Sequence, residues 1–400
     1  MEIKTVKKHL DIENSMTEET STEVSSSKES DSGVLVQILE AKQGNIGLLT
    51  LNAEKTLNSL TLDMVRVLSE TLTAWEKDQS ISVIVLMGQG DKAFCAGGDV
   101  QALYQSAIHP KDGVCVDAET FFLNEYQLNY QIHCYDKPII CFGNGYVMGG
   151  GLGLLAGASH RVVTETTQIA MPEITIGLFP DVGATHFLNQ IPFNIGYFLA
   201  LTGARVNGND AIFCKLANYS IERKNINTCI DELQKSTWKE DSEGNHQIVD
   251  EVLSLRTPQD SNIFPVSNIT ENLEVLERVC QQNSLCDTLS AIYQIDEDSK
   301  WLKHAKFTLA AGSPLSSLLI YEQLRRHRYA DLQTIFKSEL TLATNIIRYP
   351  EFSEGVRALL IDKDKQPKWQ FEHYSHVPNS LIDKFFTQPW DVNPLDNYLN

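Results

Sequence analysis

Apolar positions along this chain follow two rhythms. Residues 34–39 (VLVQIL) and 46–51 (IGLLTL) are short apolar stretches on either side of Gly44-Asn45, the pattern of two strands around a turn. Leu62, Val65, Leu68, Leu72 and Trp75 recur every three or four residues and predict one amphipathic helix. Residues 83–87 (VIVLM) form an unbroken apolar run ending in Gly88, as expected of a strand covered on both faces. A further strand is predicted over 137–142, followed by a glycine-rich segment and a helix of small residues at 151–158. Strands at 160–164 and 168–171 come next. The order is strand, strand, helix, irregularly repeated.

Beyond Thr202 the strand signals fade and helical stretches dominate, among them 272–281 and 315–325. The polar stretch 235–267 reads as variable loops, and no internal repeat of fixed period is present. Residues 1–32 are rich in Ser, Thr and Glu without apolar periodicity and read as a disordered tail. The organisation expected is therefore a tail (1–32), an α/β core (33–230) and a helical C-terminal region (231–400).

Composition narrows the function. With 400 residues and 42% hydrophobic content, the chain can bury a sizeable core. Its 33 Lys+Arg against 52 Asp+Glu give a net charge of −19, which repels nucleic acid and anionic lipid. An anionic ligand must then find a local basic patch. Eight cysteines without a CxxC pair suit reduced thiols in a cytosolic compartment. No apolar run approaches the roughly 18 residues of a bilayer span, so no membrane partner is expected. The tail has no Arg and many carboxylates, unlike a mitochondrial presequence. A cytoplasmic location is expected, with the mitochondrial matrix as the alternative.

Two glycine segments carry the chemistry. Lys92-Ala93-Phe94-Cys95-Ala96-Gly97-Gly98-Asp99 follows the strand at 83–87, and residues 143–153 (GNGYVMGGGLG) follow the strand at 137–142. Each leaves a strand and meets a helix start, where glycine allows close approach and free N–H groups carry partial positive charge. Two such donors aimed at one oxygen make an oxyanion hole, and losing one typically costs about 100- to 1000-fold in rate.

Other readings explain less. Tight turns that merely pack closely account for either segment alone. A dinucleotide fingerprint over Gly151, Gly153 and Ala156, with Glu173 downstream, leaves the Phe94–Asp99 segment unexplained. Neither GxxxxGK[ST] nor GxSxG occurs. Cys95, among apolar neighbours and without a nearby histidine, reads as a buried filler, and His373 with His376 as a surface pair.

Phe94-Cys95-Ala96-Gly97-Gly98-Asp99, the run Met148-Gly149-Gly150-Gly151, and residues 171–183 (MPEITIGLFPDVG) together resemble the crotonase (enoyl-CoA hydratase/isomerase) superfamily. They are most similar to its 3-hydroxyisobutyryl-CoA hydrolase branch, as are residues 199–203 (LALTG) and 354–364 (EGVRALLIDKD). The resemblance spans about 34–370 and implies a ββα spiral core with a helical C-terminal region.

It implies that the backbone N–H groups of Gly98 and Gly150 hold the thioester oxygen of an acyl-CoA. The superfamily's hydratases use two glutamates, and the first of those positions is Gly153 in this chain, which disfavours hydration. The second is Glu173, implied to be the catalytic carboxylate, either as nucleophile or as base on water. Asp181 is implied as its partner, moving a proton or binding a β-hydroxyl, and Glu125 as part of the acyl pocket. Three acids in one site are expected to raise one another's pKa. Lys55 is a candidate for the CoA phosphates, although the usual Arg-Pro of its loop is Ala53-Glu54. Lys363 and Lys365 are further candidates, and the cluster Arg325-Arg326-His327-Arg328 reads as a solvated helix face, with contact to the CoA phosphates or to a partner as the alternative.

The expected activity is hydrolysis of a short branched 3-hydroxyacyl-CoA, 3-hydroxyisobutyryl-CoA of valine breakdown, with no cofactor because CoA belongs to the substrate. The alternatives are an enoyl-CoA isomerase or hydratase, and a silent binding protein of the same fold within a larger assembly. Homo-oligomerisation is left open.

Overall fold

The computed structural model describes residues 28–29, 32–258, 261–296 and 298–399. Strands β1 (Lys28–Glu29), β2 (Val34–Glu40), β3 (Asn45–Leu51) and β4 (Ile81–Gly88) are joined in one sheet by β6 (Ile139–Gly143), β8 (His160–Val163) and β11 (Tyr219–Ser220), in the order β1-β2-β3-β4-β6-β8-β11. The pairs among β1, β2 and β3 are antiparallel, and every pair from β3 to β11 is parallel. A smaller sheet takes the intervening strands β5 (Ala93–Cys95), β7 (Tyr146–Met148) and β9 (Gln168–Ala170), with β10 (Val206–Asn207) antiparallel at its edge.

The chain alternates between the two sheets. β4 feeds β5 and then helix α2 (Val100–Ile108); β6 feeds β7 and then α4 (Gly150–Gly157); β8 feeds β9 and then a 3-10 turn, Glu173–Ile176. This is the irregular strand-strand-helix order of the sequence, wound as a ββα spiral. Helix α1 (Leu62–Lys77) starts where Thr61 accepts the Met64 N–H, and α2 starts where the Asp99 carboxylate accepts the N–H groups of Gln101 and Ala102.

The large sheet is covered on both sides, which explains the unbroken apolar run of β4. Ile84, Leu86, Ile139 and Cys141 face the main core with α1 and α3 (Val116–His133). Their neighbours Val83, Val85, Ile140 and Phe142 face a second core made with Ile230, Leu233, Trp238, Val249 and Leu253. The stretch 235–267 is therefore not mainly loop. It contains the helix Ser242–Ser254, which lays Val249 and Leu253 on the sheet, and a single buried stripe leaves its composition mostly polar. A second correction concerns the tail: Lys28–Glu29 pairs with Val36 and Leu35. The rest of 1–31 lies outside the described residues.

Of the helices from α5 (Ala184–Asn189) onward, Ser242–Ser254 packs on the large sheet, whereas Phe336, Leu340, Ile346 and Phe352 join the same core as Phe122 and Tyr126 of α3. The first turn of α4 lies hard against the end of β5. A Cβ on Gly151 would stand 2.4 Å from the Cys95 carbonyl oxygen and 2.8 Å from the Cys95 Cβ. Backbone cannot yield as a side chain can. Gly151→Ala is expected to destabilise the protein by about 2–4 kcal/mol and to lower Tm in a thermal melt; an unchanged melt would show that the two segments are not locked together.

Candidate active site

β5, β7 and β9 are adjacent and parallel, so their C-terminal ends emerge side by side, roughly 4.8 Å apart. The segments leaving them hold Gly97-Gly98, Gly149-Gly150 and Pro172-Glu173, and all three line a cavity of about 730 Å³. Glu125 enters it from α3, Lys55 from the short turn Glu54–Thr56, and Asp181 from the chain between Glu173 and α5. All six residues singled out in the sequence thus face one space, whose apolar wall includes Leu103, Phe121, Phe122 and Leu178.

Glycine is required here for different reasons at different positions. Gly149 has φ +49, and a Cβ on it would lie 3.0 Å from Glu173 Oε1. A Cβ on Gly150 would lie 2.2 Å from Glu125 Oε1. The two carboxyl groups therefore rest directly on the start of α4. Among the described residues, the Gly98 and Gly150 N–H groups donate to no protein acceptor.

Glu125, Glu173 and Asp181 are 3%, 6% and 5% exposed. Burial holds the Glu125 carboxyl well above the usual range, with Asp181 and Glu173 adding to it. Glu173 is raised for the same reason, with a further contribution from Asp181. Burial thus outweighs the like-charge repulsion expected from sequence. Asp181 is pushed up less, to about 6, because the Tyr126 hydroxyl donates to its Oδ2 at 2.6 Å. Asp181 therefore ionises more readily than either glutamate. Glu125 Oε1 and Glu173 Oε2 have no hydrogen-bond partner in the protein.

Two contributors were missed in the sequence. Tyr126 follows Glu125, but only the packing of α3 shows that it reaches Asp181. Glu339, fully buried in the helix Leu332–Ile347, accepts the Gly183 N–H at 2.7 Å and the Thr185 N–H at 2.9 Å. It thereby fixes the turn after Asp181, where Val182 has φ +56, a conformation costing a β-branched residue roughly 1–3 kcal/mol. A carboxylate between Phe336 and Leu340 was a readable signal of a buried polar role.

The C-terminal region closes the site. A Cβ on Gly355 would meet the Ile176 backbone at 2.4 Å, and one on Gly177 the Glu351 carbonyl oxygen at 2.4 Å, so the helix Pro350–Val356 and the Glu173 turn are in backbone contact. The π-helical turn Arg357–Ile361 then places Leu359 and Leu360 in the cavity wall. Lys55 is the only Lys or Arg lining that cavity among the described residues. Arg325 and Arg326 instead pair with Glu322, and Arg326 also with Asp383. Neither they nor Lys363 and Lys365 line it. Cys95 is fully buried, its thiol pushed up to about 12 by burial.

The chain is also similar to known proteins over most of its length. The family model for enoyl-CoA hydratase/isomerase matches residues 46–386. Proteins named 3-hydroxyisobutyryl-CoA hydrolase, mitochondrial, are 35% identical over 351 residues in Danio rerio (88% of this chain, 89% of that protein) and 34% over 363 residues in Homo sapiens (88% of each). Among solved structures, a carnitinyl-CoA dehydratase from Mycobacterium thermoresistibile superposes with a TM-score of 0.78 at 32% identity, covering 90% of this chain and 98% of that one. An enoyl-CoA hydratase from Rhodobacter sphaeroides gives 0.76 at 30%, covering 88% and 97%. The three strand exits, their two glycine segments and the family match over most of the chain lead to one conclusion: this protein belongs to the enoyl-CoA hydratase/isomerase family.

Proposed function

We propose that the chain hydrolyses 3-hydroxyisobutyryl-CoA to 3-hydroxyisobutyrate and CoA, a step of valine breakdown. The observation that carries this reading is the buried Glu173 carboxyl seated on the Gly149-Gly150 start of α4, beside two unpaired amides. In this reading the Gly98 and Gly150 N–H groups hold the thioester oxygen and stabilise the charge that develops on it. Glu173 attacks the carbonyl carbon, the C–S bond breaks, and the proton from Glu173 ends on the CoA sulfur. Water then opens the mixed anhydride and restores the carboxyl. In the alternative route the ionised form of Glu173 deprotonates a water that attacks directly; hydroxylamine diverts an anhydride to a hydroxamate and distinguishes the two. Ionised Asp181 accepts the substrate's hydroxyl proton in a hydrogen bond, Glu125 borders the acyl group, and Lys55 faces a CoA phosphate. No cofactor enters this scheme.

Hydration is the second reading, favoured by the names of the solved neighbours and by Glu125, which brings another carboxyl to the start of α4. Against it stands Gly153, where a Cβ would lie 2.7 Å from Val182 Cβ, so the space a helix-borne glutamate would need is filled. The location follows the relatives named mitochondrial only as part of this proposal, and the matrix replaces the cytoplasm as the better-supported compartment.

A panel of acyl-CoAs assayed for free thiol tests the activity. Release is expected to be fastest from 3-hydroxyisobutyryl-CoA, and Glu173→Gln is expected to slow it by about 10²- to 10⁴-fold with little change in CoA affinity. Conversion of enoyl-CoA without thiol release would reject the proposal. Tyr126→Phe removes the bond that favours the Asp181 carboxylate, so the Asp181 pKa rises further. The acid limb of the rate profile, near pH 6 in the parent, is expected to move up by about one pH unit, with kcat affected more than KM. A limb that stays in place would separate Asp181 from the rate.

A further inference from the structure

The C-terminal ends of α3 and α4, whose earlier residues line the acyl-CoA cavity, border with α5 a second cavity of about 270 Å³. Its wall includes Arg161 of β8, Lys215, His133 at the end of α3 and His186 of α5, and it contains no Asp or Glu. In a chain of net charge −19 that is an unusual concentration of cationic and imidazole groups.

The charges there lack counterions. Neither Arg161 nor Lys215 takes part in an ion pair among the described residues. Arg161 Nη1 donates to the Ala158 carbonyl oxygen at 3.0 Å, while its Nε is buried with no acceptor. A buried donor left unsatisfied is costly, and guanidinium groups are suited to oxyanions. The His133 and His186 rings meet edge to face at 6.0 Å, and the only charged or titratable groups that shift His133 are His186 and Arg161, both opposing its protonation.

One ordinary explanation is that these groups cap helices. α3 ends at His133 and α4 at Gly157, and each helix end presents about half a negative charge. Capping accounts for Arg161 Nη1, which donates to Ala158 at the end of α4, but leaves the Arg161 Nε without an acceptor.

We propose that this cavity is a binding site for a small oxyanion, a phosphate group or a carboxylate, held by Arg161 and Lys215 with imidazole N–H groups from His133 and His186. The site is separate from the acyl-CoA cavity and does not depend on the proposed hydrolysis. α3, α4 and α5 nevertheless link the two: α3 carries Glu125 as well as His133, α4 begins at Gly150 and ends at this cavity, and α5 follows the Asp181 turn.

The test is a thermal-shift and calorimetric titration of the full chain with sodium phosphate and, separately, sodium succinate. Ionic strength is held constant with sodium chloride, and each titration is run with and without desulfo-CoA in the first cavity. A saturable rise in Tm of roughly 1–3 °C is expected as at least one anion reaches about a hundred times its Kd. Phosphate alone would assign a phosphate group, and succinate alone a carboxylate. Arg161→Gln is expected to weaken binding at least about tenfold. The exposed Lys215→Gln, which spares the half-buried guanidinium, is expected to weaken it about threefold and serves if the first variant does not fold. The proposal is overturned if neither anion binds, if desulfo-CoA abolishes binding, or if Lys215→Gln binds as the parent does.

Discussion

Burying three carboxyl groups where three parallel strands end is the constraint on which this structure turns. A charged carboxylate removed from water carries a penalty of several kcal/mol, and three together would repel one another as well. The protein meets this by burial that favours the neutral forms of Glu125 and Glu173 and by giving Asp181, the least shifted, a hydroxyl donor in Tyr126. Different protonation states in one small volume are what acid–base work on a thioester requires. The surrounding scaffold supplies the rigidity: Glu339 anchors the turn after Asp181, and close backbone contacts at Gly151, Gly177 and Gly355 hold the three segments together.

Much of this was legible in the sequence, for identifiable reasons. The strand 83–87 announced burial on both faces because its neighbours in a parallel sheet are covered by helices on each side, and α1 announced itself because only one of its faces is buried. The glycine segments were readable because chemistry and close packing demand the same residue. α3 gave no comparable rhythm: Phe121, Phe122, Glu125, Tyr126 and Asn129 are all buried, so its periodicity is blurred and the depth of Glu125 could not be inferred from spacing. The helix Ser242–Ser254 was hidden for the opposite reason, since a thin apolar stripe sits in a polar stretch.

The contacts that matter most to the site span long stretches of chain, and this is where sequence reasoning stops. Tyr126 meets Asp181 through the packing of α3, and Gly183 meets Glu339 and Ile176 meets Gly355 because the helices Leu332–Ile347 and Pro350–Val356 fold back onto α3 and the Glu173 turn. The residues 354–364 looked like a distal motif of unstated purpose. In three dimensions the segment presses on the Glu173 turn and contributes Leu359 and Leu360 to the cavity, so the helical region completes the site rather than decorating the core.

The exchange of carboxyl positions follows from the same packing. Gly153 cannot carry a side chain because Val182, held at φ +56 by the Glu339 anchor on the next residue, occupies the space above it. The space beside Gly150 is taken by Glu125 of α3, whose Oε1 lies 2.2 Å from where a Gly150 Cβ would be. The turn that fills the space over Gly153 is the one that follows Asp181. The loss of one acid and the placement of the other two are a single packing arrangement.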